Sequence, residues 1–391
     1  MKPQYSFSAR SKSKSNGFTL IELLVALVLG LFLVGGVISI FVSNQQNYKS
    51  NENLARIQEN ARFAVEQIGR SIRDAGITPC GVRTVNSVLR TDNIAAPGTP
   101  WWANWNAGTI VGYDGSQALA GYNGVPFGAS ANDRVTNTDA ISVLRAGMDD
   151  GVLHTVQSHS TVAATVTLDR APSTYRDGDA VVLCDGNSAA IFQLTEAPAG
   201  AVIEYSDTAT VMNCSTQLGW TSTVNCNLNS TFKQFATGSF VTTYDPAFWY
   251  IGNSDLNGGR SLYRTSMTRG GRVGNQFPTA TRQEMVPDVS NMQIEYLTRQ
   301  LPAAPPTPPG GTPVIPDPIL ATTWVNAADA KFSAANFGWS TQNIEQVVAV
   351  RVTLTLTSKE NVGTNAAATS AERLNRQVVA VFSLRNREPV R

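Results

Sequence analysis

The first constraint on this chain is an uncharged apolar run close to its beginning. Residues 23–42 are apolar or glycine except for Ser39, and no charged residue occurs between Glu22 and Lys49. Twenty helical residues rise about 30 Å, which matches the hydrocarbon core of a bilayer. A cleaved secretory signal has an apolar region of only about 7–15 residues, followed by a small-residue cleavage site. The run is longer and lacks that site, so it predicts a single membrane-spanning helix.

The segment in front of the run is basic. Residues 1–17 contain Lys2, Arg10, Lys12 and Lys14 and no acidic residue. Basic flanks of a span stay on the cytoplasmic side, so residues beyond about 45 are expected on the opposite side of the membrane. Without these four residues the chain has 26 Lys and Arg against 29 Asp and Glu, instead of 30 against 29. The near-neutral total therefore combines a basic leader with a slightly acidic remainder.

The remainder is poor in charge. Charged residues make up 15% of the chain, against about 25% in ordinary soluble domains. Such a composition, with Ser, Thr, Asn and Gly in place of the charges, is more typical of exported proteins than of cytosolic enzymes. A net charge of +1 argues against electrostatic binding of nucleic acid, so no nucleic-acid partner is expected.

Glu22 lies at the edge of the apolar run, where a carboxylate is costly to bury. One interpretation is a glutamate solvated by lipid head groups. The second rests on the hexapeptide Gly17-Phe18-Thr19-Leu20-Ile21-Glu22, which follows a basic leader and enters the span directly. In residue types, spacing and flanks this hexapeptide resembles the class III (type IV) prepilin signal.

The resemblance implies specific roles for three residues. Prepilins are cut after the glycine by a membrane prepilin peptidase, so Gly17 and Phe18 would form the cleavage site. Phe18 would become the N-methylated terminus. Glu22 would pair with the terminal amine of a neighbouring subunit's Phe18, because an unpaired charge is strongly unfavourable in an apolar filament core. This assembly ion pair would fix the register of subunits.

A helical pattern continues beyond the span. Apolar residues recur at steps of three or four, with charged residues between them: Leu54, Ile57, Ala61, Ala64, Val65, Ile68 and Ile72. This is the pattern of an amphipathic helix with one buried face, and Gly76 marks its end. The sequence predicts one helix over residues 18–76, spanning the membrane at about 20–42 and packing on a head in its second half.

Residues 77–391 are predicted to form a β-rich head with an antiparallel sheet. Short apolar segments are separated by turn residues, as in antiparallel strands. The predicted strands are 140–145, 162–168, 180–184, 189–194, 240–244, 249–252, 292–297, 344–357 and 377–385. Residues 302–318 contain 8 Pro and predict a stiff polyproline-like loop. The fold class is therefore α+β and pilin-like.

Several head segments resemble PilW-type minor pilins, and their order along the chain is consistent with that family. They are residues 138–143 (TDAISV), 177–179 (DGD), 190–195 (AIFQLT), 285–296 (MVPDVSNMQIEY) and 384–387 (LRNR). The family implies a subunit of a minor-pilin complex that primes type IV pilus assembly and sits at the filament tip. Expected partners are the peptidase, other minor pilins, the major pilin, the inner-membrane assembly platform and a tip adhesin. The head is expected in the periplasm and later on the pilus. A type II secretion pseudopilin and a tip adhesin or DNA-capture subunit are the alternatives.

All four cysteines lie on the predicted exported side, where disulfides persist. Three pairings are possible, and we favour Cys214–Cys226, which closes a polar loop, with Cys80–Cys184, which ties the helix exit to a strand. The alternative is that one pair stays reduced and buried. No Cys-x-x-Cys pair occurs, so zinc is not expected. No cofactor is expected.

No catalytic motif is found, and a non-enzymatic protein is expected. The chain lacks G-x-S-x-G, P-loop and H-E-x-x-H sequences. His154 and His159 lie in a polar segment and are predicted to be surface histidines. The aromatic cluster Trp101, Trp102 and Trp105 fits core packing or, alternatively, an exposed surface that binds a partner.

Overall fold

The computed structural model describes most of the chain from Gly17 onward. The described residues are 17–82, 84–90, 100–121, 124–147, 153–208, 211–219, 231–255, 258–267, 280–300, 319–333, 338–339, 345–361 and 373–384. The predicted leader before Gly17, the proline-rich loop 302–318 and Cys226 lie outside these residues.

One helix leads into strands. Helix α1 spans Leu20–Arg73. The strands that follow are β1 Val85–Ser87, β2 Ile110–Tyr113, β3 Ala140–Val143, β4 His154–Ser160, β5 Thr165–Leu168, β6 Ala180–Cys184, β7 Ala189–Gln193, β8 Val202–Glu204, β9 Phe240–Thr243, β10 Ala247–Asn253, β11 Arg260–Met267, β12 Ala280–Pro287, β13 Val289–Gln300, β14 Ile319–Leu320, β15 Glu345–Asn361 and β16 Arg373–Ser383. Single 3-10 turns lie at Trp105–Ala107 and Ala330–Phe332.

Within the described residues, the strands form three sheets. Seven strands are ordered β1-β7-β6-β9-β4-β5-β8, five are ordered β12-β11-β10-β3-β2, and four are ordered β14-β13-β15-β16. The strand pairs are antiparallel except for β1 and β7, which run parallel. A long N-terminal helix on a head of mainly antiparallel sheets confirms the predicted α+β class.

Helix α1 packs on the head only along its second half. Its buried apolar residues there are Ile57, Ala61, Ala64, Ile68 and Ile72, which belong to the stripe predicted from the sequence. Val65 of that stripe is partly buried, whereas Leu54, one turn before the head is reached, is 38% exposed and departs from the prediction. They join one core with the inner faces of β10, β13, β15 and β16. The helix contacts β15, β16 and β12 directly. The helix therefore completes the core of the four- and five-stranded sheets.

The two closing strands confirm the predicted alternation in most positions. Val378, Ala380, Phe382 and Leu384 all pack on the helix core. On β15, buried Val350, Val352, Leu354 and Leu356 alternate with less buried residues.

Val348 departs from the predicted face of β15. The register between β13 and β15 shifts between Leu297 and Thr298. Val347, and not Val348, is therefore buried, with 2% of its surface exposed. A β-bulge places two residues of one strand opposite one residue of the other, which moves the alternation to the other face.

Helix and sheet approach most closely at Gly69. A Cβ atom added at Gly69 would overlap the aromatic ring of Phe382. Phe382 is 7% exposed, and the Arg73 guanidinium lies 5.6 Å from its ring centroid. Glycine costs about 1 kcal/mol in a helix relative to alanine, so close packing is the structural reason for it here.

We predict that Gly69→Ala destabilises the protein although alanine favours helices. Overlap with a buried ring forces strain of about 1–3 kcal/mol, which exceeds the gain in helix propensity. Urea unfolding of the full chain in detergent measures this change. Gly36→Ala is the matched control, because a Cβ there meets nothing within 4 Å. Pairing Gly69→Ala with Phe382→Leu should recover part of the loss, and a stabilised Gly69→Ala variant would contradict the prediction.

Candidate assembly site on helix α1

The N-terminus of α1 is closed by a capping box formed by Thr19 and Glu22. Thr19 Oγ1 accepts a hydrogen bond from the Glu22 backbone N–H at 3.3 Å. In return, the Glu22 carboxylate accepts bonds from the Thr19 N–H and hydroxyl, both at 3.0 Å. Such reciprocal bonds satisfy donors that a helix start otherwise leaves unpaired. The sequence signal for this cap is a Thr three residues before a Glu, followed by an apolar run. Our sequence analysis missed it, because it considered Glu22 only as the charged partner of an ion pair.

Gly17 and Phe18 precede the helix and are open to solvent. Phe18 is 88% exposed, and a Cβ built on Gly17 meets nothing within 4 Å. Thr19 has extended backbone angles of φ −74° and ψ 150°. The Gly17–Phe18 peptide bond therefore lies in accessible backbone outside the helix, with two residues between Gly17 and the first helical residue.

The first part of α1 presents its apolar side chains outward. Residues such as Leu24, Phe32 and Ile40 are 51%, 76% and 64% exposed, and none of the most apolar window is buried. Among the described residues, this is the helix that is long and apolar enough to span a membrane. A large uncovered apolar surface requires lipid or other protein around it.

Buried charges join the end of α1 to the head. The Arg145 side chain, 4% exposed, lies 3.2 Å from the Asp74 carboxylate at the helix C-cap and 2.6 Å from Asp245. Arg264 also reaches Asp245 at 2.6 Å. Backbone bonds extend the junction, since the Gly76 N–H donates to Leu144 O at 2.8 Å. Arg145 was missed in the sequence because its partners are 71 and 100 residues away.

A disulfide anchors the segment that follows the helix. Cys80 is bonded to Cys184 at the end of β6, across 104 residues of sequence. This is one of the two pairings that the sequence favours. Cys214 is also disulfide-bonded, and no free cysteine is found among the described residues. Cys226, its expected partner, lies outside the described residues.

The tryptophan cluster divides between core and surface. Trp102 and Trp105 are buried at 0% and 6% exposure, and the Tyr244 hydroxyl donates to Trp102 O at 2.6 Å. Trp101 is only partly buried and lines a cleft of about 640 Å³ with Tyr113 and Trp339. Core packing is therefore the role of two of the three tryptophans.

The prediction of surface histidines is wrong. His154 is 0% and His159 is 4% exposed. The Phe235 N–H donates to His159 Nδ1 at 2.9 Å, so Nε2 carries the proton toward the Tyr205 hydroxyl, 2.7 Å away. Burial lowers the pKa of His159, which keeps the ring neutral in the core. Both histidines lie on β4 at positions whose side chains face the core, and the polar residues around them gave no sign of this in the sequence.

The described residues contain no group of three or more His, Cys, Asp or Glu able to hold a metal ion. Of the residues singled out in the sequence, the helix start brings Phe18 and Glu22 into one exposed segment. The disulfide-bonded cysteines of the head do not belong to this segment.

Comparisons with known protein families give one match at the start of α1 and one in the second half of the head. Residues 12–38 match the prokaryotic N-terminal methylation motif, and residues 248–387 match Type IV Pilus-assembly protein W. The second match begins within β10 and includes β11 to β16. No curated protein and no solved structure matches the chain. The two family matches support a PilW-like type IV minor pilin, and with the apolar helix they support membrane anchoring.

We predict that Arg145→Met destabilises the chain by about 3 kcal/mol, because it leaves Asp74 and Asp245 without this buried partner. The loss lies at the lower end of the range for broken buried pairs, since Asp245 retains Arg264. Denaturant unfolding measures it. Arg170→Met is the matched control: its pair with Asp169 is exposed and should contribute less than about 1 kcal/mol. Equal effects of the two substitutions would contradict a role for Arg145 in the junction.

Proposed function

We propose that this chain is a non-enzymatic minor pilin that is cut after Gly17 and joins a minor-pilin complex that primes type IV pilus assembly. The supporting observation is the helix itself. An accessible Gly17–Phe18 bond, a capped helix start and an uncovered apolar surface follow one another in that order. The prepilin and PilW family matches fall on the same helix and on the head.

Processing requires the Gly17–Phe18 bond to enter a protease cleft in extended form. Glycine suits that position because it has no side chain to clash with the cleft. Since α1 begins only at Leu20, cleavage does not require the helix to unwind. The new amine would lie on Phe18, next to the Thr19 N–H that the Glu22 carboxylate already binds.

In a filament, Glu22 would neutralise the terminal amine of a neighbouring Phe18. The carboxylate is surrounded on α1 by exposed apolar side chains, which other subunits would cover during assembly. Covering a charge without a partner is strongly unfavourable, so the pairing would select one axial register. In the isolated chain the carboxylate's hydrogen bonds go to Thr19, and a neighbouring amine would add to these.

Before assembly the chain would stay in the inner membrane with its head in the periplasm, and afterwards on the pilus. A head with three sheets is difficult to repeat along a filament shaft, which favours low copy number and a place at the tip. Its partners would be the peptidase, other minor pilins, the major pilin, the assembly platform and a tip adhesin.

A second candidate function is ligand binding at the tip. The observation that favours it is the cleft beside Trp101, Tyr113 and Trp339, where aromatic surface is open to solvent. Aromatic residues around an open cleft are common in binding sites. Retained filaments with lost adhesion or DNA uptake in a gene deletion would favour this function over priming.

We predict that Gly17→Glu blocks processing, whereas Gly17→Ala is largely tolerated. The bulky charged side chain would clash in the protease cleft, and a methyl group would not. Mass spectrometry of the membrane-extracted protein distinguishes the leader-bearing and mature forms. A mature mass for Gly17→Glu would contradict cleavage at this bond.

Three substitutions separate the charge of Glu22 from its capping role. Glu22→Gln keeps an acceptor for Thr19 and removes the charge. Thr19→Val removes the cap hydroxyl, at a cost of about 1 kcal/mol, and keeps the charge. Glu22→Ala removes both.

If the ion pair drives assembly, Glu22→Gln and Glu22→Ala should both lower surface pili roughly tenfold or more, which corresponds to at least about 1.4 kcal/mol. Thr19→Val should remain piliated, and all three proteins should be cleaved. Quantification of sheared pili and of mature mass measures both steps. Piliation in Glu22→Gln together with its loss in Thr19→Val would show that the cap, and not the charge, is required.

A further inference from the structure

A polar pocket lies at the end of the head where α1 first meets it. Its volume is about 620 Å³. The start of β11, the turn between β12 and β13, and the paired ends of β15 and β16 surround it. The lining residues that carry the argument are Arg260, Asp288, Ser290, Lys359, Arg373 and Asn375.

Positive charge exceeds negative charge around this pocket. Asp288 is the carboxylate among its lining residues, and Arg56 of α1 already lies 3.5 Å from it. Lys359 and Arg373 are exposed, and neither side chain forms an ion pair with another described residue. Asp288 attracts Lys359 and Arg373 as well as Arg56, but it is one carboxylate against several cations, so the pocket keeps an excess of positive charge for an anion.

Fixed polar groups accompany these cations. Arg260 is oriented by donating to Ser290 O at 3.2 Å, and the Ser290 hydroxyl donates to Thr355 O at 3.0 Å. The Thr357 hydroxyl donates to Asn375 Oδ1 at 2.7 Å, so the Asn375 amide N–H groups take no part in this hydrogen bond. Arginine, lysine and amide donors are the groups that bind phosphate oxygens.

Contacts with α1 fix the height of the pocket above the membrane. At its level, Arg56 meets Asp288, and Asn60 donates to Pro287 O at 3.3 Å. The Thr357 N–H donates to Asp288 O, and Thr357 pairs with Asn375. Farther from the predicted span, Phe382 packs at Gly69. Strand β16 therefore runs toward the membrane from Phe382 to Arg373.

Arg373 lies two residues beyond Asn375, about 7 Å closer to the membrane. Since Asn375 is level with about residue 56 of α1, Arg373 is level with about residue 52. Ten helical residues, about 15 Å, separate that level from the end of the span at Val42. Head groups occupy about 5–8 Å of this distance, and a helix tilt of about 20° brings one side closer.

Two exposed residues of α1 lie between the end of the span at Val42 and the level of Arg373, where the lipid head groups are expected. Tyr48 is 70% exposed and is followed by exposed Lys49. Tyr and Lys are typical of the head-group level, where an apolar stem meets a polar tip. The long side chains of Lys359 and Arg373 therefore lie within reach of lipid head groups.

We propose that this pocket binds the phosphate of an anionic phospholipid in the leaflet that faces the head. The bound lipid would hold the head close to the bilayer before assembly, and the contact would break when the subunit enters a filament. The inference rests on the proposed membrane topology and adds a ligand to it. It follows from charge complementarity, since the pocket has an excess of positive charge and lies at the end of the head nearest the predicted span.

The test uses the full chain in nanodiscs of phosphatidylcholine, with or without phosphatidylglycerol that carries a photoactivatable head group. Crosslinked peptides mapped by mass spectrometry should include those of Lys359 and Arg373. Lys359→Gln combined with Arg373→Gln should lower this crosslinking roughly thirtyfold. The single substitution Arg373→Gln should lower crosslinking about fivefold, and Arg376→Gln is its matched control: it removes one positive charge from the other face of β16 and should change little.

Each alternative gives a distinct result. Equal losses in Arg376→Gln would indicate diffuse charge and overturn the pocket. Binding of inorganic phosphate without a preference for phosphatidylglycerol would indicate a soluble anion and overturn the lipid. Protection of the pocket by co-reconstituted minor pilins, without lipid crosslinks, would instead assign it to an acidic protein surface. A chain absent from both kinds of nanodisc would contradict the topology itself.

Discussion

A single helix that must satisfy two environments determines the rest of this structure. The first part of α1 has apolar side chains on all sides, whereas its second part has one apolar stripe that packs on the sheets. Because 54 residues form one continuous helix, the position of the head is tied to the position of the span. The cap at Thr19 and the buried Arg145 junction hold the two ends of that rod.

The sequence predicted those parts of the fold that repeat with a regular period. The helical stripe from Ile57 to Ile72 and the inward face of β16 both follow from alternation of apolar and polar residues. The helix predicted over residues 18–76 is observed as Leu20–Arg73, so its existence and extent were predicted to within three residues at each end. The Cys80–Cys184 bond also agrees with the pairing favoured from the predicted order of helix and strands.

What the sequence did not predict depends on contacts between distant residues. Arg145 binds carboxylates 71 and 100 positions away, so nothing in its neighbourhood distinguishes it from a surface arginine. His159 is neutral and buried because Tyr205 and Phe235, brought from later segments, satisfy both ring nitrogens. The bulge that buries Val347 in place of Val348 arises from pairing with β13. Each of these features exists only once the sheets have formed.

The pocket near the membrane shows the same dependence, since its cations come from three strands and its height is set by contacts with the helix. A charge cluster assembled in this way can serve a subunit that occupies two environments in turn. In the membrane, head-group phosphates would compensate it, and on extraction those contacts would be lost. Compensation in the filament would then have to come from a neighbouring subunit, because cations in excess of the nearby carboxylate repel one another once water is excluded. The apolar half of α1 and this cationic end of the head therefore make related demands, and leaving the bilayer requires protein partners for both.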